Sequence, residues 1–566
     1  MPADDNRSNI ITAPETLVEH SDEFIKQVLT VLPGIHCAIG YGLANSILIE
    51  GNDGNIIIDT LESRESAEEV KKEFDKISSK PILAIIYTHN HADHVFGAEV
   101  FANTNTRIYA HSKTLEILDK TMNLVQPITF QRAARQFGTY LTKQTGHVNC
   151  GIGSFLNYNQ NNHRAYLPPT NTFNEKSLEL NLSGRELILY HAPGETDDQI
   201  VIYMPKEKVL FAADNIYKSF PNIYAIRGTT TRDPLQWISS LDLMRQFHAE
   251  YLIPSHTKPL VGKNEIYQVL TLYRDAIQFV HDQTIRFMNK GLTPDEIIGN
   301  QLIQLPTNLK QHPYLQEFYG TVNWSIRAIF DRYLGWFSGK TSDLNVDSPK
   351  VHAENLIQFG GGAEQVFEKA QSAFREEKYQ WALELIETLT LFPEDLNLSE
   401  LNEFHCLVLE KLASFQISAN GRNWYLTKAL EVKGLIEIKP SQNQIIQTVF
   451  KSSISNCFKF LSVNFNYQKA EGKNHLIFFH FIDTNEKYSI EIRNFIVDLN
   501  DHWNDRINPN LIIEITTEKV WKEILIRSIT PMDALDEEQI CIKNHRGEDY
   551  PEGILEFIQF LLLFAP

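Results

Sequence analysis

Cysteine is scarce and scattered in this chain of 566 residues. Cys37, Cys150, Cys406, Cys457 and Cys541 are odd in number and include no CxxC pair. That pattern argues against a disulfide framework and against a cysteine zinc site, and it makes a reducing cytoplasm the expected address. Long apolar runs are also missing. None approaches the roughly 18 residues that a membrane span needs, and the last, Ile558 to Ala565, reads as the end of a packed terminal helix. The opening Met-Pro-Ala-Asp-Asp has neither the basic start nor the apolar centre of a secretory signal. Positive charge is in deficit, with Lys+Arg 52 against Asp+Glu 71 and a formal net charge of −19. Such a balance disfavours nucleic acid and anionic membrane surfaces as partners. An anionic substrate stays open, because a few arginines in a cleft outweigh distant surface charge. Gly151-Ile-Gly153 lacks the third glycine of a dinucleotide site.

What remains is ordinary globular material, 43% hydrophobic and 22% charged, in a chain too long for one core. Asn45–Glu50 and Asn55–Asp59 are β-type runs joined by a Gly-Asn-Asp-Gly turn. Glu62–Ser79 has helical spacing, and Pro81–Tyr87 reads as a buried strand. Arg107–Ala110, Glu186–His191, Gln199–Tyr203 and Lys208–Ala212 continue the strands, with a helix from about Ser112. This alternation predicts layered α/β packing. From about Lys263 the strand signals fade and helices follow, at Glu265–Asn289, from Thr293-Pro294, and at Thr321–Tyr333. Ser342–Lys350 reads as a linker and Ala363–Phe392 as a helical pair. Beyond Pro440, alternation over Leu476–Ile482, Tyr488–Leu499 and Leu511–Thr517, with a terminal helix Ile554–Phe564, predicts a separate small α+β domain.

The densest chemistry is Thr88-His89-Asn90-His91-Ala92-Asp93-His94, directly after a buried strand. Neutral imidazoles are the usual zinc ligands, and carboxylates complete such sites. In a turning loop His89 and His91 point one way and share a metal, while Asp93 and His94 face a second. One loop cannot saturate two metals. Glu195, Asp214 and His256 each follow an apolar strand-like run and are the candidates for the remaining positions. Taken alone, each would be an ordinary turn or cap residue; together, downstream of HxHxDH, they read as a ligand set.

This order of motifs resembles the metallo-β-lactamase superfamily. Glu195 in Gly-Glu-Thr, where most members carry histidine, resembles the alkyl sulfatase branch. Further similar passages are Asn90–Ala98, Arg135-Gln-Phe-Gly138, Pro168-Pro-Thr170, Ile226-Arg-Gly228 with Arg232-Asp233, Tyr333–Gly339 and Arg422–Thr427. The resemblance implies an αββα sandwich over residues 1–340, with a helical extension from about 263. It also implies an all-α dimerisation domain over 341–436 and a small α+β sterol-carrier-like domain over 437–566. One zinc is expected on His89, His91 and Glu195, and the other on Asp93, His94 and His256, with Asp214 as bridge. Asp93 and Asp214 are the expected catalytic carboxylates, and Asn222, Arg227 and Arg232 the expected sulfate-binding residues. The family's bridging glutamate is one methylene longer than Asp214. The implied activity is release of inorganic sulfate and an alcohol from amphiphilic sulfate esters by a homodimer holding two zinc ions per chain. The competing expectations are another hydrolase of the superfamily, acting on phosphodiesters, lactones or β-lactams, and a non-catalytic lipid-binding protein.

Overall fold

The computed structural model describes residues 11–159, 161–470, 472, 474–503 and 507–564, without the side chains of Met122 and Asn123. The opening Met-Pro-Ala-Asp-Asp and Ala565 of the last apolar run lie outside the described residues. The chain divides into two compact units, one of residues 1–117 and 129–439 and one of 118–128 and 440–566.

The first unit holds a sandwich of two sheets. The first sheet runs in chain order: β1 (Gln27–Leu32), β2 (Ile35–Ile39), β3 (Ser46–Glu50), β4 (Asn55–Ile58), β5 (Ile82–Ile86), β6 (Arg107–His111) and β7 (Asn171–Phe173). It is antiparallel up to β4 and parallel from β4 to β7. The second comprises β8 (Ser177–Leu182), β9 (Arg185–His191), β10 (Ile200–Met204), β11 (Val209–Ala213), β12 (Tyr251–Pro254) and β13 (Leu260–Val261), in reverse order across the sheet. Ile47, Ile49, Ile56, Ile58 and Ile86 of the first sheet meet Leu187, Leu189, Ile200, Ile202 and Phe211 of the second in one buried core. Alternating residues such as Val201, Leu210 and Ala212 turn the other way. They pack under the Pro234–Gln246 and Lys263–Met288 helices with Trp237, Leu241, Val269 and Tyr273. Strands β10 and β11 of the second sheet are thus buried on both faces, which is why they are apolar throughout.

The helical region begins with Lys263–Met288 and continues through Pro294–Gly299, opened by a Thr293/Glu296 capping box, and Val322–Leu334. The segment read as a linker contains a short 3-10 turn (Thr341–Asp343), and Ser348 caps a helix, Pro349–Gly360, inside its boundary. The expected pair is Ala363–Arg375 and Tyr379–Leu389, followed by Leu398–Phe415 and Ala419–Val432. Arg422 fastens the last helix to the sandwich domain. Its fully buried guanidinium donates to the carbonyls of Gly146 (3.0 and 3.2 Å), Thr12 (2.9 Å), Ile11 (3.1 Å) and Ala413 (2.6 Å).

The second unit carries a five-stranded sheet in the order β16-β15-β14-β17-β18, where β14 is His475–Phe481, β15 Lys487–Arg493, β16 Ile496–Asn500, β17 Leu511–Ile515 and β18 Ile540–Lys543. The single strand expected over Tyr488–Leu499 is two strands. The chain reverses at Asn494 and Phe495, both at positive φ (49° and 60°). The terminal helix covers Ile554–Leu561 and ends in a 3-10 turn, Leu562–Phe564. A cavity of about 550 Å³ opens here, lined by Ile445, Val449, Phe460, Leu461, Leu525 and Phe564 among others.

Candidate metal centre

Every candidate ligand sits where a strand of the first unit ends or two strands connect. His89 and His91 follow β5, and His91 caps the short helix Ala92–Val95 that carries Asp93 and His94. Glu195 lies in the β9–β10 connection, Asp214 follows β11, and His256 follows β12. Strand carboxyl ends of an α/β sandwich leave polar groups in a common cleft.

Two groups of potential ligand atoms result, His89, His91 and Asp214, and Asp93, His94 and His256. Asp214 Oδ2 is central. It lies 3.6 Å from His89 Nε2, 3.5 Å from His94 Nε2 and 3.1 Å from His256 Nε2. Asp93 Oδ2 lies 3.4 Å from His94 Nε2 and 3.5 Å from His256 Nε2. His89 Nε2 and His91 Nδ1 face each other at 2.9 Å. Glu195 stands apart: its Oε1 is 3.9 Å from His91 Nδ1 but only 2.7 Å from Arg232 Nη2, and its Oε2 accepts from Tyr217 at 3.2 Å.

The imidazoles are oriented from behind. Asp59 accepts from His94 Nδ1 (2.7 Å), the Thr88 amide (2.9 Å), Thr88 Oγ1 (2.8 Å) and Ser255 Oγ (2.9 Å). Since Thr88 Oγ1 gives its proton to Asp59, it accepts from His89 Nδ1 at 3.0 Å. His256 Nδ1 donates to the Leu43 carbonyl at 2.9 Å. All three rings therefore turn Nε2 inward, the nitrogen by which each would ligate a cation. Asp59 pays for its reach with a positive φ of 57°.

The donor set fits divalent cations. His94 Nε2 and Asp214 Oδ1 are buried without hydrogen-bond partners, a costly condition that a coordinated ion relieves. Burial holds the pKa values of His89 and His91 well below the usual imidazole range, so both rings are neutral. Burial also opposes ionisation of Asp93 and Asp214, but the His94 and His256 charges outweigh it and hold both carboxyls down. The same carboxylates overcome the effect of burial on His94 and His256 and raise them. Burial pushes Glu195 up to about 7 against the pull of Arg232. Nitrogen and carboxylate donors without sulfur suit zinc among other first-row ions.

The expected anion-binding residues part company. Asn222 is buried, and neither its Nδ2 nor its Oδ1 has a partner. Arg227 Nη1 is likewise buried and unpartnered, while its Nη2 lies 2.9 Å from His91 Nε2. Arg232 is already engaged, donating to the Asn222 carbonyl and pairing with Glu195. Lys218 pairs with Glu23 at 2.7 Å, and the exposed His163 binds Glu65 at 2.6 Å. Reading the sequence missed Asp59 and Leu43, and gave Tyr217 no role beyond lying near Asp214 in the chain. Only Asp59, closing the Ile-Ile-Ile run of β4, carried a sequence signal.

Three family models match the chain: metallo-beta-lactamase superfamily over residues 39–256, alkyl sulfatase dimerisation over 293–434, and alkyl sulfatase C-terminal over 443–549. A linear primary-alkylsulfatase of Pseudomonas sp. (strain ATCC 19151) is 34% identical over 499 residues, covering 85% of this chain and 92% of that protein. An alkyl/aryl-sulfatase of Saccharomyces cerevisiae is 28% identical over 535 residues, with 92% and 81% covered. An (R)-specific secondary-alkylsulfatase of Pseudomonas sp. is 27% identical over 492 residues, with 84% and 72% covered. The solved structure of the stereoselective inverting sec-alkylsulfatase Pisa1 from Pseudomonas sp. superimposes with a TM-score of 0.88 at 23% identity, covering 99% of this chain and 88% of that one. Fold and sequence relationship agree: the chain belongs to the alkylsulfatase family of the metallo-β-lactamase superfamily.

Proposed function

We propose that this protein hydrolyses alkyl sulfate esters to inorganic sulfate and an alcohol with two zinc ions per chain. The observation that carries the reading is the pair of donor clusters with Asp214 Oδ2 within 3.6 Å of His89 in one and 3.5 Å of His94 in the other, and the unpartnered Asn222 amide and Arg227 Nη1 shortly after Asp214 in the chain. His89, His91 and Glu195 would hold one ion and Asp93, His94 and His256 the other, with Asp214 between them. Bound there, two such ions supply a water of lowered pKa and electrostatic stabilisation of developing negative charge.

The chain's own residues do the rest. The Arg227 fork matches sulfate oxygens with two parallel N–H donors, and the Asn222 amide adds a neutral donor. Arg232 acts as a positioning residue, because its guanidinium is spent on Glu195 and on the Asn222 carbonyl. Asp59, Thr88 and Leu43 fix the imidazole tautomers. The helical segment is proposed to form a homodimer, supported by its exposed Trp336 (76%) and Phe359 (91%). A reducing, cytoplasmic address belongs to the same proposal, supported by five free cysteines. Among the described residues no helix is long and apolar enough to cross a membrane.

The test is sulfate release from dodecyl sulfate by zinc-loaded wild type and by Arg227→Ala, with zinc content measured by elemental analysis. Release that collapses in the variant at unchanged zinc content supports the reading. No release by an enzyme holding two zinc ions discards alkyl sulfates and turns the search to phosphodiesters and lactones.

A further inference from the structure

We propose that Arg132 and Gln136 are positioning residues that set the reach of Arg227, an inference that rests on the reading of Arg227 as the group that binds the sulfate. Both lie on the Gln126–Phe137 helix, four residues apart and so on one face. Arg132 Nε donates to the Arg227 carbonyl at 2.8 Å, and its Nη2 donates to the Ile226 carbonyl at 2.6 Å. The Gln136 Oε1 accepts the Arg227 amide at 2.8 Å. The peptide groups on both sides of the Arg227 Cα are therefore held from a single helical face, two of the three bonds being charge-assisted.

Two further features show that the grip is built. Gly228 follows at φ +100°, a backbone conformation that favours glycine, so the turn after Arg227 is fixed by the residue that makes it. The helix that provides the grip is itself braced. The Arg132 guanidinium lies over the Trp424 ring at 5.4 Å, and Arg135 forks onto Glu431 at 2.6 and 3.0 Å. Gln136 is fully buried, and its backbone carbonyl accepts from Asn423 Nδ2 at 3.5 Å. A long arginine holds an anion in one geometry only if its backbone origin is fixed, since its own rotamers are free.

The experiment compares zinc-loaded wild type, Arg227→Ala, Arg132→Met, Arg132→Lys and Gln136→Leu. KM and kcat for dodecyl sulfate, inhibition by inorganic sulfate, and zinc content are measured for each. Arg132→Met is expected to raise KM and the sulfate inhibition constant together, about tenfold to a hundredfold, with kcat changed less and zinc content unchanged. Arg132→Lys, which restores one donor, should recover part of the loss. A purely structural role would lower the melting temperature without moving the sulfate inhibition constant. Should Arg132→Met prove insoluble, Gln136→Leu decides by the same two constants. Values within twofold of wild type in Arg132→Met, or in Gln136→Leu where it decides, while Arg227→Ala raises both, overturn the inference alone. If Arg227→Ala moves neither constant, the anion reading fails and takes this inference with it.

Discussion

Replacing Asp59 by Asn tests the centre from behind, without touching a candidate ligand. The carboxylate accepts four hydrogen bonds, one on Oδ1 from the Thr88 amide and three on Oδ2 from Thr88 Oγ1, His94 Nδ1 and Ser255 Oγ. An amide has one accepting oxygen. If that oxygen takes the Oδ2 position, three bonds survive and the new NH2 faces the Thr88 N–H, leaving a buried donor unpaired at about 1–3 kcal/mol. The opposite rotamer faces three donors with a fourth and is worse. His94 keeps its tautomer in the better rotamer but loses the carboxylate charge behind its ring. Such changes behind a ligand weaken metal binding about 10- to 100-fold, or roughly 1.4–2.8 kcal/mol. Zinc affinity by competition with a chromophoric chelator and urea unfolding of the zinc-free protein read the two effects separately. Zinc affinity within twofold of wild type, with unchanged unfolding free energy, would refute the account of Asp59 as the orienting anion.

Three further outcomes follow from packing and burial. His20 is buried, stacks on Phe318 at 4.2 Å and bonds the Gly151 carbonyl, and burial lowers its pKa to about 4. Between pH 6.5 and 4 the unfolded chain takes up a proton that the folded one refuses, so stability falls as pH falls through that window. The loss attributable to this ring is at most about 3 kcal/mol, and the stability difference between wild type and His20→Phe, followed by urea unfolding, should shrink accordingly. Gly97→Ala would place a Cβ 1.9 Å from the Thr60 carbonyl oxygen and 2.6 Å from Ala67 Cβ; a loss of about 2 kcal/mol or more is expected in thermal unfolding. Arg422→Leu leaves the carbonyls of Ile11, Thr12 and Gly146 without the donors that Arg422 supplies, and removes one of two from Ala413. Destabilisation of about 3 kcal/mol or more is expected, and limited proteolysis should then release the segment around Gly146.

The legible part of this protein is the part whose signal is local. Strands β3, β4, β5, β10 and β11 are short apolar runs bounded by turn residues, and each lies within a residue or two of its expected place. The imidazole cluster is legible for the same reason, three histidines and an aspartate within six positions. What local reading does not reach depends on partners far along the chain. Arg232 reads like a second anion-binding arginine because nothing near it in sequence announces the buried Glu195 that occupies it. Asp59 meets His94 and Ser255, 35 and 196 positions away, and neither spacing is a motif. The break at Asn494-Phe495 falls where alternation stops, since Arg493 and Asn494 are both polar and Phe495-Ile496-Val497 all apolar, but no glycine or proline marks the turn. Strand β8, Ser-Leu-Glu-Leu-Asn-Leu, alternates as a half-buried edge strand does, so its signal is local and the sequence reading passed over it.

The contact between Arg227 and His91 carries a consequence for how cation and anion binding are related. Arginine can only donate, so the 2.9 Å approach of Arg227 Nη2 makes His91 Nε2 an acceptor and puts the proton of the neutral ring on Nδ1. Yet Nδ1 is the nitrogen that faces His89 Nε2, at 2.9 Å. If Nδ1 serves a cation, the proton must reside on Nε2, where it would confront the guanidinium donor to donor. The two arrangements exclude each other, so a cation bound at His91 Nδ1 would release the Arg227 side chain. Coupling of this sort is reciprocal: sulfate must then tighten zinc by the factor by which zinc tightens sulfate. Direct attraction between zinc and sulfate also contributes, and Arg227→Ala separates the two, since it leaves the direct attraction and removes the released arginine. Titration calorimetry of sulfate into zinc-free and zinc-loaded protein should therefore show a larger affinity ratio in wild type than in Arg227→Ala. Equal ratios would mean that the arginine gains no freedom when the cation binds, and that the contact with His91 has no part in reading the anion.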